Sequence, residues 1–149
     1  TLIDSSEKSL DLARKNGEEN GVADLMEVRK GDVFPLLRAL KIEGRKFGGV
    51  VLDPPKFGYS DASLPKALKA HRETARAAID LLKEDGLLLS CSCNQSVGFD
   101  DLKETLKEAV LEARREAQIL AELSAGPDHP EGVFCPETRY LSVILARVI

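Results

Sequence analysis

The run Phe47-Gly48-Gly49-Val50-Val51-Leu52 ends abruptly on Asp53-Pro54-Pro55-Lys56-Phe57. It shows no polar alternation, so it reads as a short strand buried on both faces, as strands of parallel sheets are. Two prolines stop such a strand at once and leave a stiff exit with few free dihedrals. On both sides of this run, apolar runs and amphipathic stretches alternate. Upstream, Thr1-Leu2-Ile3 runs into Asp4, and Ser5 or Ser6 can cap a helix whose face begins with Leu10, Leu12, Ala13 and Asn16. That helix should close near Asn20-Gly21, a C-cap signal. A short strand is expected from Met26 to Arg29. Val33, Leu36, Leu37 and Leu40 then mark a second helix, with Pro35 tolerated in its first turn.

Downstream, the spacing predicts a helix from Leu64 to Leu82, a turn at Glu84-Asp85-Gly86 and a buried strand from Leu87 to Cys93. A helix over Phe99 to Arg114 follows, with Leu102, Leu106, Val110 and Leu111 on one side. Gln118 to Leu123 and Tyr140 to Val148 read as two strands joined by a Gly/Pro-rich loop without a helix, so they should pair antiparallel. Strands alternating with helices imply an α/β fold, a doubly wound and mostly parallel sheet closed by an antiparallel pair. Ligands of such sheets sit at the carboxyl ends of the strands.

Composition sets outer bounds. A chain of 149 residues, 43% hydrophobic and 31% charged, suits one ordinary domain spanning residues 1-149. Net charge is -4 with a pI near 5.3, which argues against gripping nucleic acid through a broad basic surface. A single nucleotide taken into a pocket stays compatible with that charge. No apolar stretch is long enough to cross a bilayer, and no secretory leader opens the chain, so no membrane role is expected. The three cysteines lack a second Cys/His pair at zinc-site spacing, so no metal is expected and a reduced, cytoplasmic protein is the simplest expectation.

The polar residues at the strand ends are the candidates for chemistry. Asp4, Asp32 and Asp53 each follow a strand, where a carboxylate can accept from ribose hydroxyls or an amine. Asp is also a common cap and turn residue, and for Asp4 or Asp32 alone the two explanations weigh about equally. The Asp53 turn followed by Phe57 suits a flat nucleobase, an acceptor beside an aromatic surface, with Phe57 in the core as the plainer possibility. In Ser90-Cys91-Ser92-Cys93-Asn94, Cys91 lies deeper in its strand and fits an inert core thiol, whereas Cys93 stands at the exit. His71 and His129 have plain surface or turn explanations, and Cys135 has no evident partner.

Taken in order, these motifs resemble the bacterial large-subunit (23S) ribosomal RNA 5-cytosine methyltransferases. The likeness rests on Asp53-Pro54-Pro55-Lys56-Phe57, on Gly86-Leu87-Leu88-Leu89 leading to Ser92-Cys93, on Asp128-His129-Pro130 and on the Tyr140-Leu141 strand. Ile3-Asp4-Ser5-Ser6-Glu7 and Gly31-Asp32-Val33-Phe34 match two further segments. The resemblance implies a Rossmann-like class I methyltransferase sheet and S-adenosylmethionine as cofactor. It also implies a partial catalytic domain, without the glycine-rich first motif, its strand or an upstream RNA-binding domain. Asp4 and Ser5 would hold the cofactor's ribose, Asp32 its adenine amine, with Val33 beside the ring and Asp53 at the junction with the base. Cys93 would attack carbon 6 of a cytosine in ribosomal RNA, and Pro54, Pro55, Lys56, Phe57 and His129 would contact the substrate. Where family members tend to carry a Tyr and an Asn after the proline motif, this chain has His71 and Ala75. An exocyclic-amine methyltransferase, which needs no cysteine, is the nearest alternative; a non-catalytic α/β remnant is another.

Overall fold

The computed structural model describes residues 1–57 and 63–149. They form two compact units, Thr1–Arg45 and Lys46–Ile149.

In the first unit, β1 (Leu2–Asp4) pairs in parallel with β2 (Val28–Lys30), Asp4 lying opposite Lys30. Between them runs α1 (Glu7–Glu19), capped by Ser6, whose side chain accepts from the Ser9 N–H at 3.3 Å. It closes at Asn20, and Gly21 follows at φ +66°, a left-handed position where glycine carries no Cβ penalty. The buried face of α1 is Leu10 and Gly17; Leu12, expected inward, is 59% exposed. The second helix, α2 (Val33–Ile42), buries Leu37 and Leu40. At the amino end of β2, Arg29 donates to both oxygens of Glu43 at 2.7 Å and to Glu27 at 2.6 Å. Glu27 also accepts from Arg45 at 2.9 Å and from the Thr1 hydroxyl at 2.8 Å.

In the second unit the strand order is β3-β4-β6-β5, with β3 (Phe47–Leu52), β4 (Leu82–Ser92), β5 (Ala117–Leu123) and β6 (Ser142–Val148). Here β3 pairs with β4 in parallel and β6 pairs antiparallel with β5, as the loop connection predicted; β6 also runs antiparallel to β4 on its other edge, a pairing that the loop did not foretell. The bounds of β3 match those expected. By contrast β4 begins earlier, at Leu82: the Glu84-Asp85-Gly86 turn is an irregularity inside the strand rather than its boundary. Phe47 pairs with Leu82 and Gly49 with Leu87, so the extra residues bulge, with Asp85 at φ +56°. Both α3 (Leu64–Ile79) and α4 (Phe99–Ala113) pack side by side and against the sheet.

The core between them is built from Ile79, Leu82, Leu88, Leu102, Ile144 and Val148, all under 2% exposed. Burying one such side chain stabilises the fold by about 1.5–3 kcal/mol. Val51 and Leu87, one residue out of phase with the half-buried Val50 and the buried Leu88, point to the other face of the sheet and are 66% and 41% exposed. Among the described residues, no helix is long and apolar enough to cross a membrane.

The Glu27 cluster yields a pH prediction. Hydrogen bonds from Arg29, then Thr1 and Arg45, hold the Glu27 carboxyl down at about 2. A folded value below the unfolded one adds stability above the ordinary carboxylate range, and that stability is lost as pH falls through the folded value. The urea midpoint of the wild-type chain should therefore drop more steeply between about pH 5 and pH 2 than that of Glu27→Gln. Parallel pH profiles for the two proteins would refute the assignment.

Candidate active site

Parallel pairing of β1 with β2 brings Asp4 and the Gly31-Asp32 turn to one end of the first unit. The link is direct, because the Gly31 N–H donates to the Asp4 carbonyl at 3.0 Å. Gly31 sits at φ +153°, a conformation that L side chains rarely adopt, and an added Cβ would lie 3.2 Å from Leu36 Cδ1. Each carboxylate also has a local structural task. Asp4 Oδ1 accepts from the Ser6 N–H at 2.7 Å, and Asp32 Oδ1 caps α2 through the Phe34 N–H at 2.9 Å. The capping and ligand explanations are thus compatible: Oδ1 of each is engaged, and Oδ2 has no protein donor among the described residues. Two strand-end carboxylates with one oxygen each to spare fit a ligand rich in hydroxyl and amine donors, as S-adenosylmethionine is. Ser5 is exposed next to Asp4, and Val33 is half-buried at the first turn of α2.

In the second unit the register sets Leu52 opposite Ser90, so Asp53 leaves β3 level with Cys91. Burial, and secondarily the Asp53 charge, pushes the Cys91 thiol up to about 11. Cys91 is therefore a buried neutral thiol. Cys93 lies one residue beyond β4 and is half-exposed. Behind it the chain turns sharply. The buried Asn94 donates its N–H to Ser92 Oγ at 3.2 Å and accepts the Ser96 N–H at 3.2 Å.

Pro54 and Lys56 are half-buried at the β3 exit and Pro55 is exposed. Phe57 packs against the core, its ring 5.1 Å from that of His71 at 84°. His71 differs from its surface expectation: it is 5% exposed, and burial pushes its imidazole below the ordinary histidine value. It faces inward because α3 turns its Ala67, His71, Thr74 and Ala78 side to the core. The segment 58–62 that follows Phe57 lies outside the described residues.

His129 is exposed in the β5–β6 loop, with Nδ1 3.1 Å from Asp128 Oδ2 and its ring 6.2 Å from Tyr140. The structure groups it with these residues and with a shallow pocket lined by Ser124, Pro127, Pro130, Thr138 and Arg139, not with Cys93 directly. Asn94 and Gln95, polar residues just past the strand, were not singled out as candidates from the sequence. The Asn-x-Ser spacing of a side-chain turn, directly after a cysteine, is the signal that could have singled them out. Among the described residues no cluster of His, Cys, Asp and Glu could hold a metal ion.

Comparison with known proteins bears on what this arrangement serves. The chain is 40% identical over 147 residues to a ribosomal RNA large subunit methyltransferase I of Shewanella amazonensis, covering 98% of this chain and 37% of that protein. This stretch of chain is homologous to the ribosomal RNA large subunit methyltransferases. A second such relative, from Aeromonas salmonicida, is also 40% identical over 147 residues, 97% of this chain and 37% of its own length. The chain thus spans a little over a third of the curated relatives it matches. A Streptococcus mutans protein assigned to the SAM-dependent methyltransferases superimposes with a TM-score of 0.75 at 18% identity, over 97% of this chain and 37% of that one. That likeness shows the Rossmann-like methyltransferase fold. No family model matches the chain.

The cysteine environments make a direct prediction. Native chain treated with iodoacetamide at pH 8 should be carbamidomethylated at Cys93 and Cys135, with Cys91 labelled only after denaturation. Peptide mass spectrometry reads the three sites separately, and native labelling of Cys91 at the Cys93 rate would contradict its buried, neutral state.

Proposed function

We propose that the protein transfers methyl groups from S-adenosylmethionine to carbon 5 of a cytosine in large-subunit ribosomal RNA, with Cys93 as the nucleophile. In this proposal residues 1-149 form part of one catalytic domain, and the protein works in the cytoplasm on ribosomal RNA. The observation that carries it is the contrast between the two thiols at the end of β4: Cys91 is buried and held neutral, and Cys93 is half-exposed just past the strand. Homology to ribosomal RNA methyltransferases across 98% of the chain supports the substrate class.

An aromatic carbon is a poor nucleophile until its ring is activated, and covalent attack divides one hard step into easier ones. The Cys93 thiolate forms a bond to carbon 6, and the electron pair of the C5–C6 double bond becomes available at carbon 5. S-adenosylmethionine would supply the electrophilic methyl group that carbon 5 takes up, its sulfonium leaving as the thioether S-adenosylhomocysteine. Once carbon 5 carries the methyl group, a base removes its proton, the double bond re-forms, and the Cys93–C6 bond breaks to return the thiolate. Asp53 lines the junction between donor and base, on an exit kept stiff by Pro54 and Pro55. Lys56 and His129 contact the RNA, and Phe57 anchors the exit through its packing on His71. Asp4, with Ser5, takes the ribose hydroxyls; Asp32 takes the adenine amine, with Val33 beside the ring.

Two experiments on the complete enzyme test this. Cys93→Ala should abolish both methylation and covalent trapping on RNA containing 5-fluorocytosine; full activity in that variant would instead favour methylation of an exocyclic amine. Asp4→Asn and Asp32→Asn keep the Oδ1 acceptor that each local turn uses, since Asn caps about as well as Asp. They should retain the wild-type melting temperature and raise KM for S-adenosylmethionine. An unchanged KM would leave these carboxylates as caps alone.

A further inference from the structure

Cys93 begins a short turn whose interior is pinned by its own bonds. Beyond the Asn94 contacts described above, the Val97 N–H donates to the Asn94 carbonyl at 2.8 Å, and the Gly98 N–H donates to Asp101 Oδ2 at 3.0 Å to start α4. Asn94 and Val97 are 4% and 1% exposed, so this side of the turn is set into the unit. The outer side carries Gln95. Its Nε2 donates across 42 positions of sequence to the Glu137 carbonyl at 2.8 Å, in the short helical turn Pro136–Thr138. A second contact holds the other end of the same turn, where the Arg139 guanidinium sits over the Phe99 ring, 5.5 Å from its centre.

The far partner of both contacts is the β5–β6 connection, a long loop that must be consolidated if it is to hold one position. It has internal bonds that do this. The Gly132 N–H donates to Thr138 Oγ1 at 2.8 Å, the Thr138 hydroxyl donates to the Cys135 carbonyl at 2.7 Å, and the His129 N–H donates to the Gly126 carbonyl at 2.9 Å. The Glu137 carbonyl is therefore presented from a folded loop, not from a free strand of chain. The same loop carries His129.

We infer that Gln95 is a positioning residue for Cys93: its hydrogen bond to the Glu137 carbonyl, with Arg139 on Phe99, latches the nucleophile's turn to the loop that carries His129. The inference rests on Cys93 being the nucleophile. Gln95 itself touches no reacting atom. It acts by fixing the turn through which the thiol leaves β4, and it ties that turn to the loop assigned to substrate contact.

The test compares Gln95→Ala with Gln95→Glu, which keeps the shape of glutamine but turns a donor toward a carbonyl into an acceptor. Gln95 is exposed, so neither change should disturb the core, and melting temperatures should match the wild type. In a Cys135→Ser background, Cys93 alkylation by iodoacetamide should quicken in both variants by about three- to ten-fold, the range expected for loss of one such hydrogen bond. In the complete enzyme, trapping on 5-fluorocytosine RNA should slow at saturating RNA with the RNA dissociation constant unchanged. Alkylation within two-fold of wild type in both variants overturns the latch, and a response to Ala without one to Glu overturns the hydrogen bond as its cause. Failure of the nucleophile assignment looks different: wild-type enzyme then traps no RNA, while alkylation still responds to Gln95.

Discussion

The antiparallel pairing of β4 with β6, continuous from Gly86↔Val148 to Ser92↔Ser142, is the constraint on which the larger unit depends. It gives β4 a partner on the side away from β3, so the strand is hydrogen-bonded along both edges as far as Ser90, and β6 alone carries Cys91 and Ser92. A doubly paired strand cannot slip by one residue without turning its core face outward. Leu88, Ser90 and Ser92 therefore stay buried, and the position of Cys93 past the strand end follows from that register. The parallel pairing with β3 then fixes Asp53 level with Cys91. Two cysteines two residues apart thus meet different surroundings, one inside the sheet and one beyond it.

The carboxylates of the smaller unit show a second economy. Asp4 and Asp32 each direct one oxygen to a backbone N–H two residues on, which organises the entry to the following helix. That bond orients the side chain before any ligand arrives. A ligand that uses the remaining oxygen meets a group already held in place, so less conformational entropy is lost on binding.

Much of this was legible in the sequence, and the parts that were not share a cause. The bounds of β3 could be read directly because Asp53-Pro54-Pro55 leaves the backbone no way to continue the strand. The antiparallel ending followed from the lack of a helix between the last two strands. In β4, Glu84-Asp85-Gly86 has turn composition and nonetheless lies within a strand, because pairing of Phe47 with Leu82 recruits residues before the bulge. Tertiary pairing overrode local chemistry there. The burial of His71 was hidden for a related reason: a histidine on a helix carries no mark of which face the core will take. Cys93 could be preferred to Cys91 from position alone, but the contact between Gln95 and Glu137 joins residues too distant in sequence for spacing to suggest.

The strand order β3-β4-β6-β5 also governs when the sheet can form. The strand β6 lies between two made before it, so β5 has no neighbour in the sheet until Ser142–Val148 has been synthesised. Until then β5 presents unsatisfied backbone groups along the edge that β6 will take. The local pieces, α3, α4 and the β3–β4 pair, can assemble beforehand; the remainder closes in a single late step that spans a long loop. Between the synthesis of β5 and that of β6, a nascent chain of this design carries an open strand awaiting its partner, and in that interval the sheet most depends on protection from other chains.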